Sequence, residues 1–228
     1  MPRSDLTTSA ENYLKVIWSL SEWSDEPVTV SRIAEHTGLR LSSVSDGIRR
    51  LVAKELLHHA PYGSIELTDT GRAHALDVVR RHRLLEAFLV STLGYTWDEV
   101  HDEAEDLEHA VSDRLIDRID ALLGRPERDP HGDPIPSADG TIRLPDARPL
   151  SADGVAGRVV VERISDRDPE LLKHLAEYGI TVGTELEVTP GAPFSDSLVV
   201  VPRCDCHDEP ISLGRAAADA LFVSSVDG

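Results

Sequence analysis

The spacing of apolar residues changes once along this 228-residue chain, and that change limits the folds open to it. As far as Gly124 the apolar residues recur at helical intervals, most clearly in residues 10–21. From Gly157 onward they form short β-branched runs separated by turn residues, and the intervening residues 125–153 are rich in Pro, Gly and Asp. Helical and strand periods in separate parts of a chain predict a mainly α protein with a small β domain at its C-terminal end.

The N-terminal segment has the pattern of a winged helix-turn-helix. Residues 30–36 predict a short helix that ends at Gly38, the residue type best suited to the left-handed position after a helix. A second helix follows a short turn, and Ser42 or Ser43 can cap it. Residues 56–67 contain two short apolar runs on either side of turn residues, which predicts the hairpin of the wing.

The second of these helices carries short hydroxyl and basic side chains on surfaces that its apolar residues leave open. Hydroxyls at the start of a recognition helix can reach base edges or phosphates, and arginines can neutralise phosphate. The alternative interpretation is that the serines only cap the helix and the arginines are solvated. The candidate DNA-binding residues are Ser42, Ser43, Ser45, Asp46, Arg49 and Arg50.

Charge is distributed unevenly along the chain. The net charge is -18, with 23 basic and 41 acidic residues, but as far as Ala75 there are 8 basic and 10 acidic residues. Lys and Arg provide the long-range attraction to nucleic acids and anionic membranes, so the acidic remainder argues against a general nucleic-acid coat or a membrane-surface protein. Because the sequence has neither an apolar run of about 20 residues nor an apolar signal segment, we expect a cytoplasmic protein with no membrane partner.

A helix predicted between the capping box Thr96-Trp97-Asp98-Glu99 and Gly124 places His and Glu side chains on one arc. At about 100° per residue, the four lie within an arc of about 100° beside the apolar stripe of the same helix. They are His101, Glu105, Glu108 and His109. On the preceding helix, His82 and Glu86 share a face because they are four residues apart.

Imidazole and carboxylate donors together suit Mn, Fe, Co or Zn, and an oxygen-rich shell favours Mn²⁺ and Fe²⁺. The alternative interpretation of such a helix is a solvated, charged face. A further His and two Cys occur in Cys204-Asp205-Cys206-His207. A single Cys-x-Cys lacks the second pair typical of zinc motifs, so a polar hairpin tip is the main interpretation of this run and a soft metal site the alternative.

Several runs together resemble the diphtheria toxin repressor family, and more narrowly its manganese-sensing members of actinobacterial type. Besides the winged helix-turn-helix, the runs are Arg81-His82-Arg83-Leu84-Leu85-Glu86, His101-Asp102-Glu103-Ala104-Glu105, Glu108-His109-Ala110-Val111-Ser112-Asp113 and Gly132-Asp133-Pro134-Ile135-Pro136. The resemblance implies a homodimeric repressor with four segments. These are a DNA-binding domain (1–75), a helical dimerisation and metal-binding domain (76–145), a linker (146–154) and a C-terminal SH3-like barrel (155–228).

The resemblance also implies two metal sites per subunit. The regulatory site would comprise Asn12, Glu105, Glu108 and His109, and the second site would comprise His82, Glu86 and His101, with Asp168 and Glu170 from the barrel. Iron-sensing members have Cys at the position of Glu105, so the harder carboxylate favours manganese. Asn12 departs from the family, in which iron-type members have Met and manganese-type members Asp; Glu11 beside it could substitute.

The leading hypothesis is a Mn²⁺-dependent repressor that binds palindromic operator DNA as a dimer and controls metal homeostasis genes, with no small organic substrate. An iron-dependent repressor of the same family is the first alternative. A carboxylate-bridged dimetal enzyme is another, although such bundles use Glu-x-x-His on two helices and this chain has His-x-x-x-Glu and Glu-x-x-Glu-His. A third is a DNA-binding adaptor whose metal is only structural.

Overall fold

A computed structural model describes residues 6–60, 63–203 and 209–226. The chain forms two compact units. The first unit contains Met1–His82, Leu107–Asp117 and Pro136–Thr141, and the second contains Arg83–Asp106, Arg118–Ile135 and Ile142–Gly228. Among the described residues, no helix is both long enough and apolar enough to cross a membrane.

The described residues form eight α-helices, most of them in the first half of the chain. They are α1 (Thr8–Glu22), α2 (Val30–Thr37), α3 (Leu41–Ala53), α4 (Asp69–Phe88), α5 (Val100–Glu108), α6 (Asp113–Leu122), α7 (Pro169–Glu177) and α8 (Arg215–Asp219). A π-helical turn, Leu89–Leu93, follows α4 and ends at Gly94 in the left-handed conformation.

The strands form two antiparallel sheets. A hairpin pairs β1 (Leu57–His59) with β2 (Ile65–Leu67). The second sheet has the order β3-β8-β4-β5-β6-β7 and contains β3 (Arg148–Pro149), β4 (Gly157–Ile164), β5 (Glu185–Pro190), β6 (Leu198–Pro202), β7 (Ile211–Leu213) and β8 (Leu221–Ser225). The short β3 and β7 and the helix α8 were not predicted from the sequence, because such short elements give no measurable period.

Apolar side chains of α1, α2 and α3 form the core of the first unit. Leu14 and Ile17 of α1, Ile33 of α2 and Ile48 of α3 are all buried. Where α1 crosses α3, a Cβ atom at position 47 would lie 2.4 Å from the Tyr13 ring, so only glycine permits this approach. The position of α3 is therefore coupled to that of α1 by direct contact.

The predicted helix-turn-helix is present, with one correction at the start of α3. The helix α2 ends at Gly38, which has a φ of 66°, as predicted. The helix α3 begins earlier than expected, with Arg40 at its N-cap and no side-chain cap among the described residues, so the prediction that Ser42 or Ser43 caps it is wrong. The wing strands β1 and β2 are also present, but two of the predicted turn residues between them, at 61 and 62, lie outside the described residues.

The single helix predicted between residues 98 and 124 is in fact two helices. The Glu99 carboxylate accepts a hydrogen bond from the Thr96 N–H at 3.0 Å, as in a capping box, but α5 begins only at Val100. The chain leaves the helical path after Glu108, and the Ser112 hydroxyl accepts the Leu115 N–H at 3.3 Å to begin α6. This serine is a new N-cap inside what the apolar period alone joins into one helix.

The core of the second unit lies under the six-stranded sheet. Buried aliphatic residues of β4, β5 and β8 pack on Leu172 and Leu175 of α7. The loop 128–135 lies directly against β4, because a Cβ atom at Gly132 would lie 2.1 Å from the Glu162 carbonyl oxygen, and Gly132 has a φ of 86°. The Cys-x-Cys-His run, Cys204 to His207, lies outside the described residues.

Candidate metal centre

Donor atoms from α1 and from the end of α5 converge in the first unit. We call this group the α1 cluster; it consists of Glu11, Asn12, Lys15, His82, Glu108 and His109. Residues 11, 12 and 15 are three and four positions apart, which places them on one face of α1. Because α5 ends at Glu108, the side chains of positions 108 and 109 lie at a helix terminus beside that face.

His109 is held by both of its ring nitrogens. Its Nδ1 lies 2.7 Å from Glu11 Oε2, and its Nε2 lies 2.5 Å from Asn12 Oδ1 and 3.1 Å from Glu108 Oε1. The contact with Glu108 is the main factor that raises the pKa of His109; burial opposes it and Glu11 assists. His109 Nε2, the Asn12 side-chain oxygen and one oxygen of Glu108 therefore lie close together.

Glu108 is the central residue of the α1 cluster, and its side chain is fully buried. Its Oε2 lies 2.7 Å from Lys15 Nζ and 2.7 Å from His82 Nδ1, and those two nitrogens are 3.0 Å apart. Burial alone would raise the pKa of Glu108, but the contacts with His109 and His82 and the charge of Lys15 outweigh it and lower that pKa. The Glu108 carboxylate thus has nitrogen atoms of three side chains around its two oxygens.

A second group of donors, which we call the Glu86 cluster, lies in the second unit. It consists of Glu86 of α4, His101 of α5, Asp166 after β4, and Asp129 and His131 of the loop 128–135. His101 Nδ1 lies 2.9 Å from Asp166 Oδ2 and 3.5 Å from Glu86 Oε1. Burial opposes protonation of His101, but Asp166 and Glu86 raise its pKa to about 11. The same contact lowers the pKa of Asp166 against the effect of its own burial.

His131 faces Glu86 from the other side. Its Nε2 lies 2.7 Å from the Trp97 carbonyl oxygen, so this nitrogen carries the proton and donates it. Its Nδ1 is buried, has no hydrogen-bond partner among the described residues, and lies 3.8 Å from Glu86 Oε2. An imidazole that donates one N–H to a backbone carbonyl and turns its other nitrogen toward carboxylates has the arrangement typical of a metal ligand.

Asp129 completes this side of the cluster. One oxygen each from Glu86 and Asp129 and one nitrogen from His131 lie within 4.8 Å of one another, and all three residues are buried. Burial, Asp133 and Glu86 raise the pKa of Asp129 well above its usual value. Asp129 Oδ1 accepts the N–H groups of His131 and Asp133, both at 2.9 Å, which shapes the loop around it. Without a cation, then, these carboxylates repel one another.

Two buried arginines hold the loop from the outside. Arg83 of α4 and Arg163 of β4 both bind Asp133, at 3.1 and 2.5 Å, and Arg83 Nε lies 3.6 Å from Asp129 Oδ2. The Ile164 N–H also donates to the His131 carbonyl oxygen at 2.9 Å. The sheet thus positions the loop that presents Asp129 and His131.

The structure brings together most, but not all, of the residues proposed from the sequence. Asn12, Glu108 and His109 meet in the α1 cluster, and His82, expected in the second site, contacts Glu108 there. Glu105 is one turn before Glu108 in α5, and its Oε1 lies 3.8 Å from His101 Nε2.

The two proposed barrel ligands lie elsewhere. Asp168 is the N-cap of α7, where its carboxylate accepts the N–H groups of Glu170 and Leu171, and the exposed Glu170 pairs with Lys173. Asp166, two residues earlier, is the carboxylate that reaches His101. Asp166, Asp129 and His131 were not predicted from the sequence, although the Asp and His flanking Pro130 in an otherwise aperiodic coil were an available signal.

The residues proposed for DNA binding lie along α3. Ser42, Ser43, Asp46, Arg49 and Arg50 are exposed and Ser45 is half-buried. Arg49 pairs with Asp46 across one turn of the helix. The exposed face of α3 is therefore polar and carries two arginines.

Both clusters fit a divalent cation by their donor chemistry. Ligands about 2.1 Å from a metal, on neighbouring corners of an octahedron, are about 3 Å apart, which matches the spacing around His109 Nε2. The buried Nδ1 of His131 beside two carboxylates fits the same requirement. In the described part of the chain the donors are oxygen and nitrogen atoms, without sulfur.

Three family models cover almost the whole chain. Residues 5–65 match the model "Iron dependent repressor, N-terminal DNA binding domain", and residues 68–137 match "Iron dependent repressor, metal binding and dimerisation domain". Residues 148–225 match the FeoA domain. The diphtheria toxin repressor of Corynebacterium efficiens is 35% identical over 98% of this chain and 98% of its own. The chain belongs to the diphtheria toxin repressor family.

This repressor is metal-dependent and binds DNA, as the family does, and it is not an enzyme. The iron-dependent repressor IdeR of Mycobacterium leprae is 31% identical over 98% of the repressor and 100% of its own length. A solved manganese-dependent transcriptional repressor in complex with manganese is 49% identical, covers 95% of the repressor and 100% of that chain, and has a TM-score of 0.89. The manganese regulator SloR is 31% identical with a TM-score of 0.80, over 96% and 100% of the two chains.

These likenesses confirm the predicted fold class, a helical N-terminal part followed by a small antiparallel β domain of SH3-like type. They also remove the dimetal-enzyme alternative.

Proposed function

We propose that this repressor uses Mn²⁺ as its corepressor and binds palindromic operator DNA as a homodimer in the cytoplasm, with two metal sites per subunit. The first site is the α1 cluster, with Asn12 or Glu11, Glu108 and His109 as ligands and Glu105 added from one turn earlier in α5. The second site is the Glu86 cluster, in which Asp166 replaces the barrel ligands expected from the sequence. The metal supplies positive charge that draws these carboxylates together.

The observation that carries the choice of metal is the donor set. Both clusters contain carboxylate and imidazole donors, the α1 cluster adds the Asn12 amide, and hard oxygen donors favour Mn²⁺ over softer ions. Position 105 is a glutamate, so neither cluster gains a thiolate there. The solved manganese-dependent repressor in complex with manganese, 49% identical to this chain, supports the same choice. Fe²⁺ remains the second candidate because the relatives include iron-dependent repressors.

The first unit suggests how metal at the α1 cluster would act on α3. Asn12 and His109 would hold a cation and so fix α1, and the next residue, Tyr13, packs its ring on Gly47 of α3. The Tyr13 hydroxyl also donates to the Ser43 carbonyl oxygen at 3.4 Å. Because the metal binds better to the arrangement in which α1 is held, it increases the population of one position of α3. In a dimer this fixes the distance between two recognition helices.

The test is an anaerobic titration of metal-free protein with Mn²⁺ and, separately, Fe²⁺, each followed by binding to a fluorescent DNA that carries the inverted repeat of its own promoter. We expect Mn²⁺ to activate operator binding at a lower free concentration than Fe²⁺. Equal operator binding with and without metal would refute the corepressor role, and activation by Fe²⁺ at a lower concentration would assign the repressor to iron instead.

A further inference from the structure

We propose that Lys15 is a built-in cation that occupies the α1 cluster in the metal-free protein, and that an incoming metal must displace its ammonium group from Glu108. The proposal rests on the α1 cluster being the first metal site. Lys15 would then set the metal concentration at which the repressor responds, in addition to the ligands themselves.

The ammonium group binds the carboxylate that the metal would use, on the oxygen other than the one that contacts His109. Lys15 Nζ is 2.7 Å from Glu108 Oε2 and 3.0 Å from His82 Nδ1, so it binds one carboxylate oxygen and one imidazole nitrogen. The Lys15 side chain is only 11% exposed, and that of Glu108 is 0% exposed. Carboxylate oxygen and imidazole nitrogen are also donors to divalent ions, and Lys15 places a positive charge beside both.

The chemistry of Glu108 explains why a cation is needed there. A buried carboxylate with no nearby positive charge is strongly disfavoured, and it either takes up a proton or finds a partner. Lys15 is such a partner, because its ammonium group lies 2.7 Å from Glu108 Oε2. In the metal-free protein the cluster is therefore already formed around a positive charge.

The same contact opposes metal binding. An ammonium group on Oε2 and a divalent ion on Oε1 of the same buried carboxylate repel each other strongly, because charges a few ångströms apart in a buried site are weakly screened. The flexible four-carbon stem of lysine lets its ammonium group swing toward water when a divalent ion takes its place. Metal binding must then break the Lys15–Glu108 bond, so the apparent affinity is lower than that of the same ligands without Lys15.

The experiment compares Lys15→Met with the wild-type full-length protein. Both variants are measured in a His101→Ala background, which weakens the Glu86 cluster and leaves the α1 cluster to be observed. Binding of Mn²⁺ is followed by the EPR signal of the free aqueous ion, with no DNA present. Because a hydrogen bond between charged groups is broken on metal binding only when Lys15 is present, we expect about tenfold tighter Mn²⁺ binding by Lys15→Met.

Three further variants make the result specific. Lys173→Met removes the same charge from an exposed position in α7 and should leave Mn²⁺ affinity unchanged. Lys15→Arg keeps the charge and should bind Mn²⁺ like the wild type. Lys15→Gln replaces the ammonium group by a neutral amide and is the substitute if Lys15→Met is too unstable to purify. It should also bind Mn²⁺ more tightly than the wild type.

Three other results would each contradict one of the proposals. Unchanged or weaker Mn²⁺ binding by both Lys15→Met and Lys15→Gln would overturn the displacement proposal and show that Lys15 stays beside the bound metal. If the protein with an intact Lys15 bound no Mn²⁺ at all, the proposed first site itself would fail. If it bound Mn²⁺ without gaining operator affinity, the corepressor role would fail while the Lys15 comparison remained valid.

Discussion

Glu108 is the residue on which the α1 cluster depends. Its carboxylate contacts Lys15, His82 and His109, which come from three different segments of the chain. Even the loss of an outer hydrogen-bond partner of a metal ligand commonly costs about 10–100-fold in affinity. We therefore expect Glu108→Ala to weaken Mn²⁺ binding at this cluster by more than about 100-fold and to abolish metal-dependent operator binding, as measured by EPR and fluorescence anisotropy.

The matched control for Glu108→Ala is Asp102→Ala, an exposed carboxylate on the same helix, α5. It should retain both the metal response and operator binding. Both variants should elute as dimers in size-exclusion chromatography. A Glu108→Ala protein that still responded to Mn²⁺ would remove Glu108 from the ligand set.

His101 makes the stability of the metal-free protein depend on pH. Asp166 and Glu86 raise its pKa to about 11, against an unfolded value of about 6.5. The stabilisation from a raised histidine pKa is complete below about pH 6.5 and decreases as pH rises toward the folded value. His131, with a pKa raised to about 10 by Glu86 and Asp129 against burial, changes in the same direction. Urea unfolding of metal-free protein should therefore show lower stability at pH 9 than at pH 6.5.

The variant that tests this assignment is His101→Gln, which should have a smaller difference in unfolding free energy between the two pH values. His58→Gln, in the exposed part of β1, should behave like the wild type. With saturating Mn²⁺ the trend should reverse, because the metal displaces protons from the histidines and so binds more tightly as pH rises. An equal pH response of His101→Gln and the wild type would show that other groups govern it.

The helix α3 presents its charge at an exposed face. Arg49 is 76% exposed and pairs with the exposed Asp46. It can therefore exchange Asp46 for a DNA phosphate without breaking a buried interaction. We expect Arg49→Ala to weaken binding to operator and unrelated DNA alike. The slope of log affinity against log salt concentration should fall by about one for each phosphate that Arg49 neutralises in the complex.

Asp46→Ala is the partner variant, since it removes the carboxylate that holds Arg49. It should not reduce the salt slope, because both arginines of α3 remain. An unchanged slope for Arg49→Ala would mean that this arginine points away from the phosphates in the complex.

Elements with a strong apolar period could be predicted from the sequence, whereas their interruptions could not. The helices α1 and α2 and the strand β4 follow from spacing and from Gly38. The break between α5 and α6 could not be predicted in this way, because the apolar period continues through it. Only Ser112, which caps α6, indicates the break.

The residues of the candidate sites also fall into a group that the sequence predicts and a group that it does not. Residues that share a helix, such as Glu105 and Glu108, are brought to one face by local geometry that the sequence reports. Asp166, Asp129 and His131 come from coil, where the direction of a side chain is set by contacts such as Gly132 against β4 and not by a period. The segment that carries the barrel carboxylate could thus be predicted, but the particular carboxylate within it could not.

The C-terminal sheet domain contributes directly to the proposed second metal site. Asp166 lies just after β4 and reaches His101, whereas Asp168 caps α7. Asp166→Ala should lower the bound Mn²⁺ from two ions to one per subunit, measured by equilibrium dialysis and metal analysis. Asp168→Ala should keep both ions and destabilise the protein by about 1 kcal/mol because the N-cap is removed. Retention of two ions by Asp166→Ala alongside loss of one by Asp168→Ala would restore the assignment made from the sequence.

The Asp133 carboxylate, held between Arg83 of α4 and Arg163 of β4, has an implication for how such a protein can change over evolutionary time. A single deletion of the last third of the gene would remove Arg163, a partner of the buried Asp133 carboxylate, together with Asp166, a partner of His101. The shortened protein would keep acidic residues whose partners had gone. Substitutions at positions 86, 129 and 133 would have to come first if the C-terminal sheet domain were to be lost without leaving buried carboxylates unpaired.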